Sequence, residues 1–282
     1  MNLNLKLTGG IGDELAATAA VREWKRYNPD GIITVEGLTY QALFLNNPHI
    51  GTGQIDDQQE IRLFIHMHEN LGNIARSFGI QLGIHMVDDT PEIFLLPRER
   101  ERAARLIPET GKPVVALDVW ARWPSRRWGF ERYQELADRL RQDFTVIEVG
   151  KRLPDHFNET ESRLIEGVDL NLVDKLGVRE LAALLEQCAV YVGSDSGGVH
   201  LAAAVGTPQV CLYSIKPWHS RSYWNTVACF DTRPCAPKCW ASCHASEFCL
   251  DRIPVDHVEA AIKLAVRRFR GSQFPVAEPV TP

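Results

Sequence analysis

Short apolar runs of four to seven residues alternate along this chain with longer stretches in which apolar residues recur every three or four positions. Leu3 to Leu7 alternates with polar residues and reads as a strand, and Leu15 to Tyr27 has the Ala-rich spacing of a helix. The first half continues with Ile32 to Glu36 (strand), Tyr40 to Leu45 (helix), Ile61 to His66 (strand), Asn70 to Phe78 (helix), Glu92 to Leu95 (strand) and Arg98 to Leu106 (helix). After Ile107 to Lys112, with Pro108 and Gly111, the rhythm resumes: Pro113 to Val119 (strand), Phe130 to Arg141 (helix), Phe144 to Val149 (strand), then helices over Glu159 to Ile165 and Val178 to Gln187. Ala189 to Val192, bounded by Gly193, is a strand buried on both faces; the following helix closes at Gly206-Thr207-Pro208, before strand Gln209 to Tyr213 and a terminal helix Val255 to Phe269. Such regular alternation predicts an α/β fold of parallel βαβ units. The break at 107–112 divides it into domains 1–107 and 112–270, with a frayed, proline-containing tail over 271–282.

Composition narrows the class. With 282 residues, 45% hydrophobic and 24% charged, either half can bury a core. A net charge of −5 gives no general pull toward nucleic acid, and Arg98, Arg100, Arg102 and Arg105 alternate with Glu99 and Glu101 as on a solvated helix face. No apolar run approaches the roughly 20 residues that span a bilayer. Lys6 and Asp13 interrupt any apolar core of a leader, so a cytoplasmic location is expected. All seven cysteines lie between Cys188 and Cys249, unlike the spread of a secreted disulfide scaffold.

Two loops carry candidate chemistry. Between Val192 and the helix that follows, Asp195 or Ser196 can cap, and Gly197 and Gly198 lack the Cβ atoms that would hold a ligand off the first turn. The unpaired N–H groups and positive dipole end there suit a phosphate or pyrophosphate. The N-terminal loop Gly9-Gly10-Ile11-Gly12-Asp13 imitates a dinucleotide fingerprint, with Glu36 in the place of a ribose-binding acid. Its third glycine, however, would fall at Leu15, and Asp13 puts a carboxylate where a pyrophosphate should lie. A nicotinamide oxidoreductase is therefore the least favoured reading. His66 and His68, two apart at a strand end, read as surface or cleft histidines. Cys235, Cys239, Cys243 and Cys249 supply the four thiolates of a structural zinc or iron site, at spacings outside the familiar paired pattern; unligated or redox-sensitive thiols are the other reading.

The pattern Asp-Ser-Gly-x-x-His-x-Ala-Ala-Ala-x-Gly-x-Pro, Asp195 to Pro208, resembles the signature of the ADP-heptose glycosyltransferases, the lipopolysaccharide heptosyltransferases of glycosyltransferase family 9. The resemblance is strongest from Val114 to Pro208 and weakest from Gly37 to Asp88. It implies a GT-B fold, two Rossmann-like domains facing a cleft, with a shortened acceptor-side domain. It further implies an inverting, metal-independent transfer of heptose or a related sugar from a nucleotide diphosphate-sugar, ADP-linked, to an acceptor hydroxyl. By resemblance Asp13 is the general base, consistent with its exposed loop at a strand's carboxyl end. Arg126 stands where the family has a lysine on the donor phosphates, with Arg127 able to share that role, and Ser196, Gly197, Gly198 and His200 complete the phosphate site. Gly150 falls near the nucleotide base. Asp195 and Lys216 fall near the donor sugar, where Ser214 and Lys216 depart from the family's Gly-Pro-Thr-like loop and imply an altered pocket. No catalytic cofactor is implied, and the acceptor, whether saccharide, protein, nucleic acid or small molecule, stays open. A sugar-nucleotide epimerase and a non-catalytic nucleotide-sugar-binding module are the alternatives.

Overall fold

The computed structural model describes residues 2–51, 58–63, 72–152, 163–214, 218–231 and 248–269. The N-terminal half contains β1 (Asn2–Lys6), α1 (Ile11–Tyr27), β2 (Ile33–Glu36), β3 (Gln58–Arg62), α2 (Ile74–Gln81) and α3 (Pro97–Ala104). The C-terminal half contains β4 (Val114–Asp118), α4 (Phe130–Leu140), β5 (Thr145–Val149), β6 (Leu170–Asn171), α5 (Val178–Glu186), β7 (Val190–Ser194), α6 (Gly197–Ala204), β8 (Gln209–Tyr213), β9 (Thr226–Phe230) and α7 (Val255–Phe269). The described strands form two wholly parallel sheets, a small one ordered β2-β1-β3 and a large one ordered β6-β5-β4-β7-β8-β9.

This order places the ligand-facing edges. In the large sheet the chain runs outward from β4 through β5 and β6, then returns to the other side of β4 as β7. Connections therefore leave the carboxyl ends of β4 and β7 in opposite directions and open a crevice between them. In the small sheet β1 is flanked by β2 and β3, so the loop after β1 stands at an equivalent switch. Strands β4, β5, β7 and β8 are buried along their whole length, which is why their sequences are near-continuous apolar runs without alternation.

One apolar core runs without a break from Leu3 and Leu5 of β1 through Ala16, Ala19 and Ala20 of α1 to Ala116, Ile147 and the α5 and α6 faces; a second lies behind the large sheet around Trp128, Tyr133, Val258 and Ile262. The alanines of α1 and of α6 (Ala202, Ala203) are buried where these two helices pack together. Small side chains let their axes come close, so the two halves share a core.

Several sequence expectations shift. Tyr40 to Leu45 forms a single 3₁₀ turn, Gln41–Phe44, since its few apolar residues make one buried pair, Leu43 and Phe44. Ile93 to Leu95 are buried and Glu92 half-buried, and the segment pairs with no strand among the described residues. Its backbone is satisfied by side chains instead: Thr18 Oγ1 accepts from Glu92 N–H (2.9 Å), and Phe94 and Leu95 carbonyls accept from Arg179 and Arg100 (2.7 Å each). The expected strand to His66 is β3, ending at Arg62, and both His66 and His68 lie outside the described residues. Of the helix expected over Glu159 to Ile165, only 163–165 are described, and they are not helical; the tail 271–282 is likewise outside. The sequence reading contains neither β6 nor β9: β6 has two residues, and β9, TVACF, is an edge strand of the described sheet, half-buried throughout except for the buried Cys229. The basic helix starts as α3 with Pro97 in its first turn and Glu99 accepting from Leu96 N–H (2.7 Å).

Arg179 of α5 ties the halves together. It grips Glu99 of α3 with two 2.7 Å bonds and donates to the Ala42 carbonyl at 3.0 Å as well as to Phe94, in a site where its side chain is 10% exposed. The guanidinium fork matches that carboxylate, and the carbonyls use its remaining protons. Removing the arginine strands a half-buried carboxylate and the Ala42 and Phe94 carbonyls, so Arg179→Ala is expected to lose about 2–3 kcal/mol in urea unfolding. Arg179 also holds the Glu99 carboxyl below its ordinary value. That stabilisation is present above the unfolded-state value and fades as pH falls through the folded one, so the gap between wild type and variant should narrow below about pH 4.

Candidate functional site

The loop after β1 is shaped by its own packing. A Cβ on Gly9 would lie 2.6 Å from the Asp13 carboxylate, and one on Gly12 would lie 2.5 Å from the His200 ring. Gly10 N–H donates to Asp13 Oδ2 at 2.9 Å, so Asp13 closes the first turn of α1. These glycines admit protein groups, and the loop is no dinucleotide fingerprint. The neighbouring Glu14 turns the other way, accepting from Thr39 N–H (2.6 Å) and Tyr40 N–H (3.0 Å). Asp13 itself is half-buried at the front of the helix; burial pushes its carboxyl up from the ordinary value, opposed by the Gly10 bond and by the charges of Arg221 and Arg126.

Across the cleft, α6 begins at the carboxyl end of β7. Neither Asp195 nor Ser196 caps it: Ser196 occupies the N-cap in an extended conformation with no cap bond, and its side chain is engaged with the Tyr191 hydroxyl. The first-turn N–H groups are thus not consumed by a side chain, as an anion site requires. Gly197 and Gly198 again have internal reasons. A Cβ on Gly197 would be 3.1 Å from Ile11 of α1, and one on Gly198 would fall onto the Tyr191 hydroxyl and within 2.9 Å of Asp118 Oδ2. The close approach of α1 and of Tyr191 is by itself enough to require glycine at both positions.

Beneath this turn lies a polar pair that the sequence reading missed. Tyr191 donates to Asp118 Oδ2 at 2.9 Å, and Asp118 Oδ1 accepts from Trp120 N–H at 3.1 Å. Burial pushes the Asp118 carboxyl up to about 6. Its signal was an acid ending the apolar run VVALD at a strand's carboxyl end. Gly150 belongs to the same cluster: its φ of 113° is glycine territory, and a Cβ there would meet Asp118 and Trp120.

Arg126, at the end of a 3₁₀ turn, donates through Nη1 to the Asp195 carbonyl (2.8 Å) and lies 3.6 Å from Asp195 Oδ2; its side chain is 14% exposed. Arg221, from the turn Trp218–Arg221, also stands 3.6 Å from that oxygen. Asp195 is 1% exposed, its two carboxylate oxygens make no hydrogen bond among the described residues, and two guanidiniums at ion-pair distance balance its charge. Arg127 turns away and donates to the Ala121 carbonyl (3.0 Å), while Trp128 is core, its indole N–H bonded to the Ile253 carbonyl (2.9 Å). His200 lies on the buried face of α6, 2.6 Å from the Tyr223 hydroxyl and against Gly12; burial drives it down to about 4, so it is neutral at pH 7. Lys216, Cys235, Cys239 and Cys243 lie outside the described residues, and Cys249 is half-buried. Among the described residues no cluster of His, Cys, Asp and Glu could hold a metal, and no helix is long and apolar enough to cross a membrane.

The structure therefore brings Asp13, Arg126, Asp195, Ser196, Gly197, Gly198 and His200 to one place, with Gly150 beside it. It adds Arg221 and Tyr223, for which the sequence offers no periodicity or motif. Together these residues place a carboxylate from one half opposite uncapped helix amides and two guanidiniums from the other.

Four similarities to known proteins bear on this site. The model of Glycosyltransferase family 9 (heptosyltransferase) matches residues 58–247. An alignment 116 positions long, covering 36% of the chain, is 28% identical to lipooligosaccharide heptosyltransferase 2 of Haemophilus influenzae and spans only 31% of that protein. Among solved structures, the glycosyl transferase family 9 from Veillonella parvula superposes with a TM-score of 0.77 at 15% identity, covering 95% of this chain and 97% of that one. The dodecameric iron-containing heptosyltransferase TibC of enterotoxigenic E. coli, in complex with ADP-D-beta-D-heptose, gives 0.67 at 17% identity, covering 95% and 76%. At such identities the superpositions establish the fold.

Two measurements test the packing of the site. Gly198→Ala is expected to cost about 1–3 kcal/mol in thermal unfolding, and Tyr191→Phe in the same chain to recover part of it by removing the obstructing hydroxyl. Strictly additive effects would refute that contact. Because His200 stays neutral in the folded state but protonates when unfolded, stability should fall as pH drops from about 6.5 to 4, by about 3 kcal/mol for this group. His200→Gln should flatten that part of the profile.

Proposed function

Since the chain belongs to glycosyltransferase family 9, the heptosyltransferases, and has its GT-B arrangement of two parallel α/β sheets, we propose that it transfers a sugar from a nucleotide diphosphate-sugar to an acceptor hydroxyl with inversion. The observation that carries this reading is the convergence of the first turns of α1 and α6. It sets Asp13 across the cleft from uncapped amides and from Arg126. The donor is ADP-linked heptose or a close relative, a choice supported by the ADP-D-beta-D-heptose bound by the similar TibC.

In this mechanism the donor diphosphate rests on the α6 first turn, with Gly197 and Gly198 keeping the backbone accessible and Arg126 beside it. Ionised Asp13 takes the proton of the acceptor hydroxyl as its oxygen attacks the anomeric carbon. The C–O bond to the diphosphate breaks on the opposite face, and the new glycosidic bond forms with inverted configuration. The diphosphate leaves with the bonding electron pair, its charge met by helix amides and guanidinium, so no divalent metal is needed at this step. Neutral His200 adds no competing charge; it fixes the α6 turn against α1 through Gly12 and Tyr223.

The Gly10 N–H to Asp13 bond favours one other reading, in which Asp13 is only a cap and the protein binds a donor without turning it over. Asp13→Asn separates the two. Calorimetry should show ADP-heptose bound about as in wild type, while ADP release in the presence of a saccharide acceptor falls about 10²–10⁴-fold. Arg126→Ala should weaken ADP binding, and chelation by EDTA should leave turnover unchanged. Full turnover by Asp13→Asn would refute the base; donor binding without turnover by wild type across acceptors would favour the binding module.

A further inference from the structure

Tyr223 lies outside every motif the sequence displays, yet the segment that carries it is bonded to β8, α2 and α6. The Arg221 carbonyl accepts from Tyr213 OH of β8 (3.1 Å), and the Ser222 carbonyl accepts from Nδ2 of Asn73, the N-cap of α2 in the other half (2.9 Å). Tyr223 itself is buried, and its hydroxyl reaches His200 Nδ1 at 2.6 Å with the two rings edge to face. The opposite edge of the imidazole lies where the first turns of α1 and α6 meet: a Cβ on Gly12 would be 2.6 Å from His200 Nε2.

The short bond decides where the imidazole proton sits. Burial pushes the Tyr223 hydroxyl up and the His200 ring down to about 4, so at pH 7 the phenol keeps its proton and the ring is neutral. A buried phenol needs an acceptor for its O–H. The Asn73 amide is not one, because its Oδ1 accepts from Ala75 N–H (3.1 Å) and its Nδ2 is turned toward Ser222. His200 Nδ1 is the one acceptor that the hydroxyl reaches among the described residues, so Tyr223 donates to it and the ring proton is left on Nε2. Nε2 in turn makes no hydrogen bond among the described residues.

We propose that Tyr223 is a positioning residue for the transfer reaction: it holds His200 as the neutral tautomer protonated on Nε2, so that the ring donates a hydrogen bond to the donor diphosphate. The inference rests on the reading that the diphosphate sits on the first turn of α6, where His200 lies one turn into the same helix. The tautomer sets the sign of the contact. An N–H aimed at a charged oxygen is a strong hydrogen bond, whereas the other tautomer would present a lone pair and repel it.

The tautomer is read directly by two-bond proton–nitrogen NMR of full-length protein labelled in the histidine rings, with the His200 signals identified by their loss in His200→Gln. At pH 7 Nδ1 is expected to resonate as a pyridine-type nitrogen and Nε2 as a pyrrole-type one, and ADP should shift Nε2 and its proton. Tyr223→Phe keeps the ring and loses only the hydroxyl. In that variant Nδ1 should move toward an unbonded pyridine-type value, and calorimetry should show ADP bound about three- to tenfold more weakly. A protonated Nδ1 in wild type, or an Nε2 that bound ADP leaves unmoved, would overturn the inference. So would an unmoved Nδ1 in Tyr223→Phe, since packing and not the hydrogen bond would then be responsible, or an unchanged ADP affinity there. Should Tyr223→Phe not fold, the wild-type spectra with and without ADP decide by the first two criteria. Failure of the donor-site reading is seen separately, as absence of ADP binding by wild type, whatever the tautomer.

Discussion

The close packing of the first turn of α1 on the first turn of α6 governs the rest of the molecule. Gly12 makes room for the His200 ring and Gly197 makes room for the Ile11 side chain, so each of two helix N-termini from different halves seats a side chain of the other. Two positive dipole ends are brought together there, and acids are the natural complement. Asp13 and Asp195 supply them, and the guanidiniums of Arg126 and Arg221 then balance the excess of negative charge. Alanines along α1 and α6 bury the contact behind this front, which is why one core runs through both halves.

A second constraint follows from burial. Asp118, Asp195 and His200 are each almost fully enclosed, and each is handled differently. Asp118 has hydrogen-bond donors and a carboxyl raised to about 6; Asp195 has two cations; His200 has discarded its proton. Concentrating so many buried polar groups in one place is costly for folding, and each is held there by the compensation just named. Arg179, gripping Glu99 and the carbonyls of Ala42 and Phe94, secures the opposite end of the same interface.

Much of this was legible in the chain. Strands buried on both faces announce themselves as apolar runs, so β4, β5, β7 and β8 stand where expected, and β8 and α7 to the residue. The motif from Asp195 to Pro208 marked α6, and Arg126 was separated from a merely exposed arginine by its place ahead of Trp128. Illegible were segments whose backbone is satisfied by distant side chains. Glu92 to Leu95 looks like a strand because it is extended and apolar, but its partners are Thr18, Arg179 and Arg100, residues up to 85 positions away.

The sequence by itself determined the parallel α/β class, the two glycine loops and the acid and base character of what they carry, because each depends on local periodicity or on chemistry within a few residues. Tertiary structure alone decided which group each glycine admits, that His200 is neutral and set against α1, that Arg126 and not Arg127 faces Asp195, and that Arg221 and Tyr223 belong to the site. The physical reason is the same in every case. Desolvation and charge pairing are set by atoms brought together from opposite halves of the chain, and no local pattern records that distance.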